Sequence, residues 1–530
     1  MRTGGALSFS FIMPMILDIS KLDASKEFET DVCIVGAGAA GIAIAQALTN
    51  SDVDCYVVES GSLEFDANTH TLTRTEQVGV DDKRICRLRY FGGSTNHWGG
   101  WCMPLSEIDF QPRPWIPYSG WPIKLADLDG YYQAANAICK LGLYKYDKSD
   151  YADNLDRLGF VDTTKLNTRF FRISKPPVRF GEVYRSGLRE AKNVRVILNA
   201  NVTSLETNEN ARTVRFVRAK SLYGHTAYFK AKYFVLACGA VGNAQLLLLS
   251  NSVEKAGLGN GFDIVGRFFM QHPHVYCANI FGTNTKDIRD LFREHSESGT
   301  ATRATIGPSP KVQSDLKILN CSATIHFPTD PSSGYGAAKE LIGDIKQGKW
   351  PEDSTEKIQD VIKDFDSIVT RLRKGPPVLN VQMRAEQAPN PDSRVMLSSD
   401  LDRLGQRTVK MDWQLSEVDW RTIRVAAVLI GEEFGRLSYG RVRLPSWLTG
   451  GTIDWPDALW GGCHHIGTTR MADAPRDGVV DRNCRVHSVD NLYIAGSSVF
   501  PTSGYANPTL SIVALALRLT DHLQNRLRYG

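Results

Sequence analysis

The stretch GGCHHIGTTRM, residues 461–471, sets His464 and His465 side by side in a glycine-flanked segment near the end of a 530-residue chain. Imidazole ionises near pH 6.5, so either ring could take or give a proton at neutral pH. A histidine held by packing and one hydrogen bond reads the same way in a sequence, and residue type alone does not choose between the two rings. The elements that must position them carry that decision.

The clearest of these is DVCIVGAGAAGIAIAQAL, residues 31–48. A short apolar strand runs into Gly36, Gly38 and Gly41 and then into a helix of small residues. Gly36 permits the tight turn, Gly38 lets the backbone approach a pyrophosphate, and Gly41 allows close packing of helix on strand. A second strand, CYVVES, ends in Glu59, placed to accept hydrogen bonds from ribose hydroxyls. These features specify a dinucleotide site without separating NAD from FAD. KYFVLACGAVGNAQLLLLS, residues 232–250, is a second buried strand leading into an apolar helix. Two strand-like stretches precede it, with a hairpin turn expected at Tyr223-Gly224, so the nucleotide domain is discontinuous. In YFGGSTNHWGGWC, residues 90–102, the density of glycine suits a loop whose backbone lies against a flat ligand.

At 530 residues the chain exceeds one hydrophobic core and implies two large domains, or one large domain with another inserted. A net charge of +4, with the basic residues dispersed, argues against nucleic-acid binding. The ten cysteines are scattered singly, without the clustering of a metal site, and are expected to be reduced thiols. No metal is expected. The N-terminal MRTGGALSFSFIMPMIL has the length of a signal-peptide core but no small-residue cleavage site after it. A packed or disordered arm and a cytoplasmic protein are the expectation, with secretion or periplasmic export as the alternative. No other segment approaches the length of a membrane span.

Taken in order, GAGAAG, FGGSTNHWGG, VLACGAVGNAQLLLLS, VGRFFMQHPH and the C-terminal HHIGTTRM through SGYANPTLS resemble the glucose-methanol-choline (GMC) family of FAD oxidoreductases. The match is closest to the branch holding pyranose 2-oxidase, fructose dehydrogenase and glycoside 3-dehydrogenases. It implies an α/β fold: a doubly wound, Rossmann-like, discontinuous FAD-binding domain (residues 28–115, 175–275 and 455–526) with a second, mostly antiparallel sheet-plus-helix substrate-binding domain (116–174 and 276–454) and an N-terminal arm (1–27). Within the second domain, VLNVQMRAE and TVKMDWQL alternate as strands of a sheet facing a cavity, and a helix is expected from Asp419 to Phe434. Val479–Val486 reads as a further strand.

The resemblance assigns FAD to Gly36, Gly38, Ala39, Ala40, Gly41, Glu59 and Ser60, and to the loop residues Gly92, Gly93, Ser94, Asn96, His97 and Trp98. It adds Val202, Ala237, Gly239, Gly496, Ser497, Asn507, Pro508 and Thr509. His97 stands where some relatives attach FAD covalently and others do not, so both modes stay open. The family pattern H-x-x-G-T fits His464, with Gly467 and Thr468 following, and does not fit His465. Its partner, some forty residues later, is Asn507. The implied reaction oxidises a secondary hydroxyl of a sugar, glycoside or polyol to a ketone, with hydride passing to flavin N5 and His464 as general base. Asn507 orients the hydroxyl, and His465 and Gln382 are candidates for substrate contact. The electron acceptor is O2, a quinone or a redox protein. Oxidation of a non-sugar alcohol, or a lyase that keeps the flavin without redox chemistry, is the alternative.

Overall fold

The computed structural model describes residues 15–23, 27–79, 86–151, 164–282, 285–297, 299–327, 337–338, 341–343, 354–363 and 378–530. Most of the expected N-terminal arm, including the apolar run through residue 14, lies outside the described residues. No helix among the described residues is long and apolar enough to cross a membrane.

Val32, Cys33 and Ile34 are fully buried, so the strand Glu27–Val35 must be covered on both faces, as central strands of parallel sheets are. It pairs in parallel with Cys55–Val58 on one side and Thr226–Leu236 on the other. Val194–Leu198 and Ile16–Asp18 extend the parallel run outward from Cys55–Val58. Thr226–Leu236 continues into an antiparallel meander with Val214–Lys220 and Asn201–Thr207, joined at the expected hairpin. The chain returns a third time at Leu492–Ile494, parallel to Thr226–Leu236. The helix Ala39–Leu48 packs against the C-terminal helix Thr509–Tyr529, so the two ends of the chain close one layer over this sheet.

The second large sheet is antiparallel and runs in the order Gly440–Arg443, His274–Gly282, Val378–Ala385, Cys321–His326, Thr300–Pro308, Leu166–Ser174, Trp101–Cys102. Along Val378–Ala385 burial alternates. Leu379, Val381, Met383 and Ala385 join a core with Ile423, Ala426, Ala427 and Ile430 of the helix Glu417–Arg436. Asn380, Gln382 and Arg384 therefore occupy the opposite, less buried face.

Two expected features differ. TVKMDWQL does not share a sheet with VLNVQMRAE: Arg407–Trp413 pairs with Arg394–Leu401 and, in parallel, with Thr75–Gly79. Pro389 and Pro391 break the chain between the two stretches, and Val395, Val409, Met411 and Trp413 pack into the core of the nucleotide sheet. Val479–Val486 is a tight loop carrying isolated bridges. The Asp481 carboxylate accepts from the backbone N–H groups of Asn483 and Arg485 and turns the chain before a strand can form.

A buried ion pair fastens the long loop after Trp101–Cys102 to the second sheet. Arg113 Nη1 donates to Glu386 Oε2 at 2.8 Å and Nη2 to Oε1 at 2.5 Å, with both side chains almost fully enclosed. Glu386 Oε2 also accepts from the Asn320 N–H, and Asn320 Nδ2 donates to Asp109. Removing one partner strands a buried charge, which costs about 3–5 kcal/mol. Arg113→Met alone should therefore lower the thermal midpoint more than the double replacement Arg113→Met with Glu386→Leu, as measured by differential scanning calorimetry. Equal losses would show that the pair is not a coupled buried unit.

Candidate active site

At the C-terminal ends of the parallel strands lies a cavity of about 640 Å³, the place where open α/β sheets bind ligands. Gly36 has φ +103°, and a Cβ there would lie 2.7 Å from the Ala237 carbonyl oxygen on the returning strand. A Cβ at Gly41 would come within 1.9 Å of the Gly36 carbonyl oxygen. These two glycines let strand, turn and helix touch. Gly38 differs, since a Cβ there would meet nothing within 4 Å and would point into open space at the cavity. Across from it, Glu59 Oε2 accepts from the Ala37 N–H at 2.7 Å and Oε1 accepts from the Gly61 N–H at 2.8 Å. Ser60 Oγ donates to Oε1 at 3.1 Å. A carboxylate offers about four lone-pair sites, so Glu59 holds the turn and keeps capacity for ribose hydroxyls.

Most of the expected cofactor residues meet at this cavity. From the first unit come Gly36, Gly38, Ala39, Ala40, Glu59 and Ser60, and from the glycine loop Gly93, Ser94, His97 and Trp98. Val202, Ala237, Gly239, Gly496, Ser497, Pro508 and Thr509 line it from the later passes of the chain, together with His464, His465 and Asn507. Four expected residues stand off the wall. Gly41 serves helix packing. Asn96 Nδ2 donates to the Phe91 carbonyl at 3.0 Å, and a Cβ at Gly92 would collide with the Asn96 amide, so both shape the loop rather than face the cavity. Gln382 lies on the second sheet, where its Oε1 meets His326 Nε2 at 3.1 Å. Sequence reasoning passed over Arg87 and Arg89, which line the same wall. Their signal was two cations just before the glycine loop, in RICRLRY.

The two histidines separate by their partners. The segment Met270–His274 runs antiparallel to Trp460–Ile466, bridged at Met270↔Ile466 and His274↔Trp460. Continuing the first bridge by two residues on each strand brings His272 opposite His464, and their Nδ1 atoms are 2.9 Å apart. His272 Nε2 lies 3.2 Å from the Ser503 carbonyl oxygen. A carbonyl only accepts, so Nε2 of His272 carries the hydrogen. Burial pulls the His272 imidazole down to about 3, so the ring is neutral and its Nδ1 accepts. His464 therefore donates from Nδ1 and keeps an unprotonated Nε2. Burial first, then the neighbouring His272, Arg384 and His465, hold His464 well below the usual imidazole range. His465 packs its ring on Phe269 at 5.5 Å, and burial with the nearby Arg87 lowers it to about 3. Its carbonyl accepts from Ser497 Oγ at 2.7 Å, which ties the histidine segment to the Gly496–Ser497 strand end. Asn507 immediately precedes Pro508 and the helix Thr509–Tyr529, and its Oδ1 is buried with no hydrogen-bond partner.

The expectation of ten reduced thiols fails at one pair. Cys86 and Cys463 form a disulfide with Cα atoms 4.9 Å apart, across a separation of 377 residues. It joins the start of the glycine loop to the residue before His464, and both cysteines line the cavity. Nothing in the local spacing of either cysteine could reveal a partner so distant in sequence. The other eight are free thiols.

Residues 389–516 match the family model described as GMC oxidoreductase. Paromamine 6'-oxidase of Streptomyces fradiae is 25% identical, the alignment covering 92% of this chain and 90% of that protein. The fructose dehydrogenase large subunit of Gluconobacter japonicus is 23% identical over 84% and 82% of the two chains. The C-terminal part of the chain thus carries a GMC oxidoreductase domain. The same architecture appears in a crystal structure of formate oxidase, with a TM-score of 0.56 at 16% identity, covering 95% of this chain and 100% of that one.

The enzyme uses FAD, and its cavity fits that group. The open side of Gly38 leaves room for a pyrophosphate beside the first turn of helix Ala39–Leu48, whose end of the macrodipole favours anions. Arg87 and Arg89 add positive charge, and the buried Asn507 Oδ1 awaits a donor. The glycines give a direct test. Gly38→Ala should fold with an unchanged thermal midpoint in the flavin-free protein while binding FAD roughly 5- to 150-fold more weakly, the cost of overpacking a close contact. Gly41→Ala should lose folded protein outright. Flavin titration and calorimetry of both variants would contradict the cradle if Gly38→Ala bound FAD normally.

Proposed function

We propose that the enzyme oxidises a secondary hydroxyl of a sugar, glycoside or polyol to a ketone, with His464 as the base and Asn507 as the orienting amide. The observation that carries this is the His272–His464 contact, which leaves His464 Nε2 as a bare acceptor on the wall of the cofactor cavity. The polar face of the second sheet, with Tyr276, Gln382 and His326 in contact with one another, suits a hydroxyl-rich ligand. Fructose in the name of one relative is consistent with that chemistry.

FAD, when bound, supplies the acceptor for the hydride that leaves the carbinol carbon. His464 Nε2 accepts a hydrogen bond from the substrate hydroxyl, and the Asn507 amide fixes the direction of that oxygen. As the C–H electron pair departs, the hydroxyl proton becomes strongly acidic and passes to Nε2, leaving a neutral ketone and an imidazolium. The depressed basicity of His464 means that this transfer accompanies C–H cleavage instead of preceding it. His272 stays neutral and receives the Nδ1 hydrogen bond throughout. The glycine loop and Trp460 line the same cavity as the pair.

His464→Ala should slow anaerobic flavin reduction roughly 100- to 10,000-fold, the usual worth of a positioned general base, with bound FAD barely changed. Asn507→Ala should fall between that variant and His465→Ala, whose damage should appear mainly as lost flavin or stability. A slow His465→Ala enzyme beside a normal His464→Ala enzyme would exchange the two roles. Acid precipitation reads the flavin linkage: a yellow pellet means a bond through the protein, His97 being the expected atom source, and a colourless pellet means none.

The pH profile follows from the lowered basicity of His464. A base with depressed pKa stays unprotonated as pH falls, so the rate plateau extends to the acid side of free imidazole. The acid limb of the reduction rate should inflect on the acid side of an unperturbed histidine, which titrates at roughly 6.5. Stopped-flow reduction across pH 4.5–8 measures it, and an inflection at or above the free-imidazole value would contradict a buried neutral base.

A further inference from the structure

The less buried face of the second sheet holds a cation without an anion. Arg384 stands between His274 on one neighbouring strand and Ser322 on the other. Its Nε donates to His274 Nε2 at 3.2 Å. Its guanidinium lies 5.0 Å from the centre of the Phe171 ring and 5.6 Å from that of Trp101. Nη1 is sealed from solvent and donates to nothing. Among the described residues no carboxylate pairs with it, and the charged group felt most strongly is Arg303, a second guanidinium 5.5 Å from the same indole. Glu386, two residues along the chain, is already neutralised by Arg113.

Enclosing a charge without a counter-ion is costly, and two like charges beside one ring add to the cost. Stacking on aromatic faces and one hydrogen bond offset only part of it. Burial and Arg303 lower the Arg384 guanidinium to about 10, so it still carries its charge at neutral pH. The position ties that charge to the reaction. Arg384 holds His274, whose ring lies 6.0 Å from that of His464, and its charge helps keep His464 deprotonated. A substrate whose hydroxyl reaches His464 Nε2 thus lies within one or two side chains of an unsatisfied guanidinium.

We propose that Arg384, linked through His274 to the cavity wall at His464 though not itself on that wall, forms an anion subsite beside the cavity and that the substrate is a carboxylate-bearing sugar, a hexuronate or aldonate, in preference to a neutral one. The assignment rests on the reading of the enzyme as a sugar oxidoreductase and names the substrate class of that same site. A carboxylate supplies the missing counter-charge and is reached through Nη2, Nη1 being sealed from solvent. Tyr276, Gln382 and His326, on the same face, are left to meet sugar hydroxyls.

The test uses the FAD-loaded enzyme, Arg384→Gln and the charge-preserving Arg384→Lys. Matched pairs, glucose with glucuronate and galactose with galacturonate, are compared by anaerobic flavin reduction and, separately, by calorimetric titration. The acid member of a pair should bind and reduce the flavin better in the native enzyme. The acid-to-neutral ratio should fall roughly 10- to 100-fold in Arg384→Gln, the worth of a hydrogen bond to a charged group, and largely survive in Arg384→Lys. Equal ratios in native enzyme and Arg384→Gln, or a preference for neutral members, would overturn the subsite. A stronger Arg384-dependent preference for glucose 6-phosphate than for glucuronate would overturn the carboxylate assignment. If acids bind in an Arg384-dependent manner yet no sugar of either kind bleaches the flavin, the subsite stands and the sugar-oxidation reading fails. Reduction by neutral sugars without any acid preference has the opposite meaning.

Discussion

Ser503 presents a carbonyl to His272, and a carbonyl can only accept a hydrogen bond. From that single constraint the protonation of both imidazoles follows, because neither ring is charged in its buried place. His272 gives its hydrogen to Ser503 and so has only a lone pair to offer His464, which must donate from Nδ1 and face the cavity with a bare Nε2. The ladder between Met270–His274 and Trp460–Ile466 exists in this register to make the two rings meet. Gly467, at φ +89°, lets the histidine strand pass against the Phe268 carbonyl, where a Cβ would come within 2.2 Å. Thr468 Oγ1 then donates to the Ala240 carbonyl at 2.6 Å and anchors the same segment to the helix that follows the returning strand. Sheet, helix and site are thus connected through a few short contacts.

The base and the cofactor cradle come from opposite ends of the chain, and the fold spends much of its order bringing them together. The parallel sheet is visited three times, at Glu27–Val35, Thr226–Leu236 and Leu492–Ile494. The antiparallel sheet is built from the intervals between the visits. Its contribution is a wall of polar side chains, held rigid from behind by an apolar core with the helix Glu417–Arg436 and fastened at one end by the Arg113–Glu386 pair. The Cys86–Cys463 disulfide makes a further tie, between the glycine loop and the histidine segment. Preorganisation of this kind is what an oxidation without a strong base requires, since the proton must find Nε2 as the hydride leaves.

The nucleotide sheet was legible because its signals are local: a buried apolar strand, a glycine-spaced turn and a small-residue helix lie within eighteen consecutive residues, 31–48. The alternation in VLNVQMRAE likewise foretold which side chains face the helix core and which the less buried side. The failures share a cause. TVKMDWQL alternates as a strand wherever it pairs, and only packing of Val409, Met411 and Trp413 against the nucleotide core sends it to Thr75–Gly79. The disulfide joins residues that no local pattern relates. His272 sits in a stretch, MQHPH, that marks the family but says nothing of its meeting His464 across a separation of 192 residues. Arg384 reads as an ordinary strand arginine until its lack of a counter-ion is visible. Periodicity and spacing report what a segment is, whereas the chemistry here depends on which segments meet.

The central claim is the protonation of His464, and long-range 1H–15N correlation spectroscopy of the histidine rings observes it directly. In enzyme labelled with 15N-histidine, with His464→Gln used to assign the signal, the His464 ring should appear as the neutral Nδ1–H tautomer from about pH 6 to 8, its Nε2 resonance in the range of an unprotonated imidazole nitrogen. An Nε2–H tautomer, or an imidazolium anywhere in that interval, would contradict the account.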